Sequence, residues 1–338
     1  MKRRDRVIAA LRHRKTDFVP YQIDFVQEEY EKMVRFTGDA NFIERTNGHL
    51  MIGGFGAFTD VGNECWRDFF GVVWNRSKDK DIGVVDEILI GDPEHNTYRF
   101  PKIDRAEVRR GVEWVLENCG DRFSGYGIGF SLFERAWSLR GMENLLCDMV
   151  TDPAFVHGLM ENICELNLEI VETAAEYREL DSIYFGDDWG QQKGQIMGET
   201  HWREFIKPYL KRMYAAAKGK GKFILQHSCG DIEALYPDLI EIGLDVHNTF
   251  QPEIYDAEKI KRKFGDSLCF WGGISTQHVL AHGTPEDVQR ETVSMIRTMG
   301  WDKGGYIAAP THATPRDVPC ENVLAMMDVF QNQSKYIK

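Results

Sequence analysis

Short hydrophobic runs alternate with longer stretches in which apolar residues recur every three or four positions. The short runs are almost continuously apolar, which is typical of parallel strands that are buried on both faces. We predict strands at 18–25, 123–130, 182–188, 222–229, 244–250, 268–274 and 304–312. The longer stretches carry helix start signals, such as an Asp or Thr followed by proline. The predicted helices begin at Asp152-Pro153, near Thr200, at Thr284-Pro285 and after Pro319.

This alternation of strand and helix predicts an α/β protein, a (β/α)₈ TIM barrel in which residues 1–338 form one domain. The region 50–100 departs from the pattern, with a glycine-rich stretch and a polar, hairpin-like stretch. We expect it to hold one barrel strand and an insertion. An open, doubly wound sheet is the alternative, but no G-x-G-x-x-G motif follows a strand.

Polar side chains gather where the predicted strands end. In a barrel, these carboxyl ends converge on one face, which is where active sites form. Some of the side chains are expected only to cap the following helices, but the set as a whole predicts an enzyme. The set comprises Asp24, Glu134, Arg135, Asp187, Asp188, His227, Cys229, Asn248, Gln251, Glu253, Ser275, Thr276, Gln277, Thr311 and His312.

One pair in this set has the chemistry of a metal site. His227 and Cys229 are two residues apart on a strand, so both side chains can face one centre. Imidazole nitrogen and thiolate sulfur are good zinc ligands, but a site needs a third. Barrel geometry favours His312, at the end of the last strand, whereas thiolate chemistry favours Cys320. A buried cysteine beside a hydrogen-bonded histidine, without metal, is the competing interpretation.

Composition narrows the classes of function. The net charge is −12, which argues against a general nucleic-acid or anionic-membrane surface. Seven scattered cysteines in a chain of 338 residues favour a reducing compartment, the cytoplasm, over a disulfide framework. We see no apolar run long enough for a membrane span. The basic N-terminus predicts a short amphipathic helix, because its apolar stretch is too short for a signal peptide.

Much of the chain resembles the uroporphyrinogen decarboxylase superfamily. The resemblance is carried by RVIAALRHRKTDFVPY, YFGDDWGQQ, REFIKPYLKRM, HSCGDIEALYPDLIEIGLDVHNTFQPE, FWGGISTQ and APTHATPRDVPCENVLAM. It implies a (β/α)₈ barrel and one of two chemistries. The first is decarboxylation of a porphyrinogen without a cofactor. The second is zinc-dependent methyl transfer to or from a corrinoid (cobalamin) carried by a partner protein.

The resemblance favours the methyltransferase branch. Decarboxylases of the superfamily share an arginine-bearing G-R-Y-L-P-E stretch after the first strand, where this chain reads DFVQEEYEKMVRFTGD. The zinc-binding His-x-Cys pair of the methyltransferases falls on His227 and Cys229. The last-strand cysteine of the thiol-methylating members falls at His312, which implies a His/Cys/His site or a substrate that is not a thiol.

The sequence therefore predicts a zinc-dependent methyltransferase that moves a methyl group between a small methylated, in particular methoxylated, compound and the cobalt of a corrinoid protein. We assign catalytic roles to Asp187, Asp188 and Glu134. Substrate binding is assigned to Asn248, Gln251, Glu253 and Trp189. A decarboxylase and a catalytically idle barrel that serves as a binding subunit remain the alternatives.

Overall fold

The computed structural model describes residues 1–77, 80 and 82–337. The strands are β1 Leu50–Gly54, β2 Thr59–Gly62, β3 Cys65–Arg67, β4 Val73–Asn75, β5 Val84–Val85, β6 Phe123–Ile128, β7 Ser182–Gly186, β8 Gly190–Gln191, β9 Gly194–Gln195, β10 Phe223–His227, β11 Val246–Phe250, β12 Cys269–Ile274 and β13 Tyr306–Pro310. The helices are α1 Arg3–Leu11, α2 Gln27–Thr37, α3 Phe42–Arg45, α4 Arg105–Asn118, α5 Phe133–Arg140, α6 Met142–Thr151, α7 Pro153–Ala175, α8 Gly198–Phe205, α9 Lys207–Lys218, α10 Tyr236–Ile242, α11 Ala257–Phe264, α12 Val279–His282, α13 Pro285–Met299, α14 Cys320–Gln331 and α15 Gln333–Tyr336. Short 3₁₀ turns lie at Pro93–His95 and Glu233–Leu235.

Seven strands form one curved parallel sheet in the order β1-β6-β7-β10-β11-β12-β13. The gap between its two edges is filled by residues 20–25. On one side Ala308 N donates to Pro20 O, and Tyr21 forms a parallel bridge with Ala308 of β13. On the other side His49 N, just before β1, donates to Tyr21 O. The segment therefore takes the place of an eighth strand and closes the (β/α)₈ barrel that the sequence predicts.

The predicted strand at 18–25 is present only as isolated bridges at Tyr21 and Phe25. Pro20 lacks a backbone N–H, which stops pairing on its amino side, and Pro310 of β13 lacks the N–H that would donate to Gln22 O, so pairing resumes only at Thr314. The other six predicted strands are confirmed with slightly shorter bounds, and β1 supplies the barrel strand expected within 50–100.

The helices surround the sheet, and their bounds follow local signals. Thr284 and Asp287 form a reciprocal capping box at the start of α13. The helix predicted to begin near Thr200 is broken just before Pro208, because α8 ends at Phe205 and α9 begins at Lys207. Proline there has no N–H to continue the preceding turn, and its ring would collide with the carbonyl four residues earlier.

A separate hydrophobic cluster fills the barrel interior. Helix α1 closes one end of the barrel, because Val7 and Leu11 pack among the strand residues that face inward. Arg4 N donates to Asp121 O just before β6, and Gly305 N donates to Ala10 O just before β13, so α1 covers the amino ends of the strands. The open mouth is therefore at the carboxyl ends, where the sequence places the polar side chains.

Residues 59–85 form an antiparallel sheet of β2, β3, β4 and β5 outside the barrel ladder. It lies within the predicted insertion, of which residues 78, 79 and 81 are outside the described residues. A buried ion pair of 2.6 Å between Asp68 and Arg135 ties this region to α5. Trp74 Nε1 also donates to Asp68. That the whole chain folds as a single domain stays a prediction.

Within the described ranges, no helix combines the length and the apolar character that crossing a membrane requires. Each of the seven cysteines is free.

Buried His49 makes stability depend on pH. Burial, and then the neighbouring Arg6 guanidinium, lowers its pKa to about 3, and Arg6 Nη1 lies 3.0 Å from its Nε2. The unfolded chain protonates this imidazole near pH 6.5, so between about pH 6.5 and 3 the unfolded state binds more protons and stability falls as pH falls. Lowering the pH from 7.5 to 5 is expected to reduce the free energy of unfolding by about 2 kcal/mol through this residue.

His49→Gln isolates the effect, because it removes the titration and keeps an acceptor for Arg6. Urea unfolding at both pH values should show a smaller acid-induced loss in the variant. An unchanged pH dependence would contradict the assignment.

Candidate metal centre and adjoining cavity

His227 and Cys229 lie where β10 enters the mouth of the barrel. His227 is the last residue of β10, in register with Gly186 of β7 and Asn248 of β11. The two side chains face the same side, and His227 Nε2 lies 3.4 Å from Cys229 Sγ. The i, i+2 spacing thus brings an imidazole nitrogen and a thiol together at the strand end.

His312 completes a group of three. It follows β13, and its ring centroid is 5.7 Å from that of His227. One ligand atom from each of His227, Cys229 and His312 lies within 4.8 Å of the others. Among the described residues, this is the one such cluster of His, Cys, Asp or Glu side chains.

The chemistry and spacing of the three atoms fit zinc. Two nitrogen atoms and one sulfur atom suit Zn²⁺ and do not suit Mg²⁺, which prefers oxygen. Bonds of about 2.0 Å to nitrogen and 2.3 Å to sulfur at a tetrahedral angle separate the two atoms by about 3.5 Å. The observed 3.4 Å between Nε2 and Sγ agrees with this value.

The alternative ligand Cys320 lies elsewhere. It is buried at the start of α14. Burial raises the pKa of its thiol, and the charged groups that act on it are Lys32 and Glu29 of α2 and its neighbour Glu321. Cys320 is outside the three-residue cluster, so the structure brings His312 to the pair instead.

Asn248 orients the His227 ring. Its Oδ1 lies 2.6 Å from His227 Nδ1 and also accepts from Tyr184 Oη at 3.3 Å. Because an amide oxygen only accepts, His227 Nδ1 carries the proton and Nε2 is left with its lone pair. The bond therefore selects the tautomer that binds metal through Nε2.

The loop that carries Cys229 is held by hydrogen bonds and close packing. Cys229 N donates to Asp188 Oδ1 at 2.7 Å, and Gly230 N donates to Gln251 Oε1 at 2.8 Å. Gly230 has a positive φ of 79°, and a Cβ on it would collide with the backbone of Gly190. Glycine at this position therefore lets the loop pack directly on the chain after β7.

Carboxylates set the electrostatics around the thiol. Burial raises the pKa of Cys229, and Asp188 and Glu134 raise it further. Burial likewise raises the pKa of Glu134 well above its usual value, with Asp188 and Asp187 adding to the effect. Asp188 Oδ1 is 3.5 Å from His227 Nε2. These groups favour a cation at the cluster, which would stabilise the thiolate.

Asp187, for which we predict a catalytic role, caps the amino end of α5, and its catalytic role stays a prediction. It is fully buried, and its carboxylate accepts from Phe133 N at 3.0 Å, Glu134 N at 2.7 Å and Trp189 Nε1 at 2.7 Å. Burial raises its pKa to about 6, against these hydrogen bonds. Asp187 therefore anchors the amino end of α5 and positions Glu134 beside the cluster.

Three of the four residues predicted to bind substrate make other contacts in the structure. Trp189 is fully buried and packs edge-on against Trp202, with ring centroids 5.4 Å apart. Gln251 supports Gly230, as described above. Glu253 accepts a hydrogen bond from Ser275 Oγ. Of the four predicted substrate-binding residues, Asn248 alone contacts the cavity beside the cluster.

This cavity has a volume of about 190 Å³ and lies inside the barrel mouth. Two of the metal-site residues, His227 and His312, form part of its wall. It is lined by Asp24, Tyr184, His227, Asn248, Trp271, Ala309, Pro310, His312 and Ala313. Tyr184 and Trp271 were missed at the sequence level because they lie within strands and not at their ends. Their inward position could have been predicted from the alternation of side chains along β7 and β12, which turns both rings toward the barrel interior.

Two arginines of α5 are used in ion pairs. Arg135 pairs with Asp68, and Arg140 Nε lies 2.7 Å from Asp148 Oδ2. Both arginine side chains are buried or nearly so. Neither lines the cavity.

Comparison with proteins of known structure supports the barrel fold. A methyltransferase from Methanosarcina mazei superposes with a TM-score of 0.74 at 16% identity, and the match covers 99% of each chain. At this identity the likeness establishes the shared barrel.

Comparison of sequences gives the family. A uroporphyrinogen decarboxylase of Chlorobaculum tepidum is 23% identical over 218 residues, which are 62% of this chain and 58% of that protein. One from Chlorobium phaeovibrioides is 24% identical over 288 residues, 78% of each chain. The match spans little more than half of the first relative, so its activity does not carry over. Residues 90–333 match the profile of the uroporphyrinogen decarboxylase (URO-D) family, and the chain belongs to that family.

Proposed function

We propose that the chain is a zinc-dependent methyltransferase that moves a methyl group between a small methoxylated compound and the cobalt of a corrinoid protein. The observation that supports it most strongly is the cluster of His227, Cys229 and His312, whose ligand atoms lie within 4.8 Å of one another beside a small cavity. Three protein ligands leave a fourth position open to a substrate atom, as in catalytic zinc sites.

When bound, zinc would supply Lewis acidity to the oxygen that releases the methyl group, and the corrinoid would supply the nucleophile. The chain's own residues hold the zinc ligands in position and shape the cavity. Asn248 fixes the His227 tautomer, and Asp188 holds the Cys229 loop through its backbone N–H. Tyr184 and Trp271 form one wall of the cavity, with ring centroids 6.2 Å apart. Burial and nearby carboxylates raise the pKa of Glu134 well above its usual value, which favours its use as a proton donor at the site.

The corrinoid is proposed to arrive on a separate partner protein. Reduced cobalt and thiolate ligands both need a reducing environment, which supports a cytoplasmic location. The free state of the seven cysteines agrees with that environment.

A decarboxylase is the function suggested by the names of the sequence relatives. An engineered apolar cavity of about 150 Å³ holds one benzene molecule, so 190 Å³ is far too small for a tetrapyrrole. A substrate with many carboxylates also needs cationic partners, and none of the described lining residues is a lysine or an arginine. We expect no conversion of uroporphyrinogen to coproporphyrinogen by the purified protein. Measurable conversion, followed by chromatography of the products, would contradict this.

The test of the proposed function is a cob(I)alamin assay. Zinc-loaded protein is mixed with cob(I)alamin and a panel of methoxylated compounds, and the cobalt spectrum is followed. The expected result is conversion to methylcobalamin with at least one compound. Zinc-stripped protein is the control and should show no conversion. An inactive zinc-loaded protein across the panel, with its fold intact, would favour the binding-subunit alternative.

Asn248→Ala is expected to weaken zinc binding by roughly 10–100-fold, as loss of a residue that orients a metal-binding histidine commonly does. Asn248→Asp keeps an acceptor for His227 Nδ1 and should retain most of the affinity. Competition with a chelating dye measures both. Asn162→Ala, on the exposed side of α7, is the control. Equal zinc affinity in Asn248→Ala and the parent would contradict the orienting role.

A further inference from the structure

The inner wall of the cavity combines an acidic group with two aromatic rings. Along the closing segment, Tyr21 stacks on Phe330 and Phe25 packs on Phe42, so these rings face the helices. The alternate residue Asp24 therefore faces inward, and it lines the cavity. Tyr184 and Trp271 line the same cavity, and their rings are 6.2 Å apart at a steep angle.

Asp24 has capacity to bind a ligand. Its Oδ1 accepts from Gln22 Nε2 at 2.8 Å, and its side chain remains accessible. Although this side chain is accessible, the surrounding protein displaces part of its hydration and raises the pKa of the Asp24 carboxyl group, which the Gln22 hydrogen bond opposes. A cationic ligand would supply the charge that the surroundings lack.

Apart from the proposed zinc, the cavity offers no counter-charge for an anion. Its described lining holds no lysine or arginine, and Arg135 and Arg140 of α5 are paired with Asp68 and Asp148. A cation beside aromatic ring faces is attracted by the ring quadrupole, and the attraction strengthens where water is excluded. The wall therefore attracts cations and repels carboxylates.

We propose that the methoxylated substrate carries an ammonium group, which binds the Asp24 carboxylate and the rings of Tyr184 and Trp271. This proposal rests on the proposed function and names its substrate class. The methoxy end lies toward His227 and His312, since both line the same cavity. In the transfer, the methyl C–O bond breaks and leaves its electron pair on the oxygen, which takes a proton from water. The methyl carbon bonds to the corrinoid's cobalt, which supplies the electron pair and is oxidised from Co(I) to Co(III).

The test uses three ligands of nearly equal size: 4-methoxybenzylammonium, 4-methoxybenzyl alcohol and 4-methoxybenzoate. Isothermal titration calorimetry measures their binding to zinc-free and zinc-loaded protein. In zinc-free protein the cation is expected to bind at least tenfold more tightly than the neutral alcohol, with the carboxylate weakest. In zinc-loaded protein the cation should still bind more tightly than the alcohol, whereas the carboxylate can bind the zinc itself. Equal binding of cation and alcohol in either form, or tightest binding of the carboxylate to zinc-free protein, would overturn the proposal.

Single variants identify the residues that cause the preference for the cation over the alcohol. Asp24→Asn should remove most of the preference for the cation over the alcohol. Asp5→Asn removes the same charge from α1 at the opposite end of the barrel and should leave the preference unchanged. Trp271→Phe keeps a ring and should retain more cation affinity than Trp271→Leu. An undiminished preference in folded Asp24→Asn, checked by circular dichroism, would also overturn the proposal.

The substrate-class proposal and the proposed function can fail independently, because ligand binding and methyl transfer are measured in separate experiments. Cation preference without methyl transfer would reject the proposed function and leave the recognition site standing. Transfer from a neutral or anionic methoxy compound without cation preference would reject only the substrate class.

Discussion

Cys229→Ala is expected to lose most of the bound zinc and the methyl transfer with it, while the fold survives. The site loses its only sulfur ligand, and two imidazoles alone make a much weaker zinc site. The fold should persist because Cys229 lies in the barrel mouth, partly exposed, outside the two hydrophobic clusters. Elemental analysis after dialysis gives the zinc content, and circular dichroism checks the fold.

Cys320→Ala is the matched control, because it removes another thiol from the same chain. It should keep its zinc, whereas His312→Ala should lose it. The reverse outcome would make Cys320 the third ligand. If neither Cys229→Ala nor His227→Ala changes the zinc content, the pair is structural and the zinc mechanism fails.

Asp187→Ala is expected to destabilise the protein by about 3–5 kcal/mol, because three donors lose their acceptor and each buried unpaired donor costs about 1–3 kcal/mol. The donors are Phe133 N, Glu134 N and Trp189 Nε1. The buried carboxylate itself costs stability, so its removal offsets part of this destabilisation. The expected change in the free energy of unfolding is therefore smaller than the sum of the three donor penalties. Denaturant unfolding measures the change.

Two variants calibrate this result. Asp187→Asn keeps one acceptor oxygen and should fall between the parent and the alanine variant. Asp152→Ala removes an exposed cap, whose side chain accepts from Phe155 N, and should cost about 1 kcal/mol. An Asp187→Ala variant as stable as Asp152→Ala would show that the buried cap contributes little.

The barrel could be predicted because its strands are buried on both faces. Runs such as 223–225 and 268–274 are apolar, and their alternation with long helical patterns favours a covered parallel sheet. Closure was harder to predict, because Pro310 interrupts the pairing of β13 with residues 20–25, which pair only at isolated positions. The antiparallel sheet at 59–85 has short, exposed strands without clear alternation, so its individual strands could not be placed.

The grouping of His227, Cys229 and His312 could be predicted because they lie at or just after strand ends, and strand ends converge. The roles of Asp187 and Trp189 could not. Sequence shows that an acidic residue follows a strand, but not whether its oxygens face the mouth or the next helix. Asp187 faces the backbone of α5, whereas its neighbour Asp188 faces the Cys229 loop.

The choice between His312 and Cys320 depended on position in the fold. Both residues follow the last strand, and their side-chain chemistry favours neither decisively. His312 comes directly after β13, while Cys320 begins α14 beside α2. Barrel topology, which places strand ends at the mouth and helix starts farther out, already favours His312, and the structure places His312 beside the pair.

X-ray absorption at the zinc edge of the purified, zinc-loaded protein tests the central claim most directly. The expected coordination is one sulfur at about 2.3 Å and nitrogen or oxygen neighbours at about 2.0–2.1 Å, with histidine scattering from two imidazoles. The sulfur shell should disappear in Cys229→Ser. A zinc ion with two sulfur neighbours, or with none in the parent protein, would contradict a centre built from His227, Cys229 and His312.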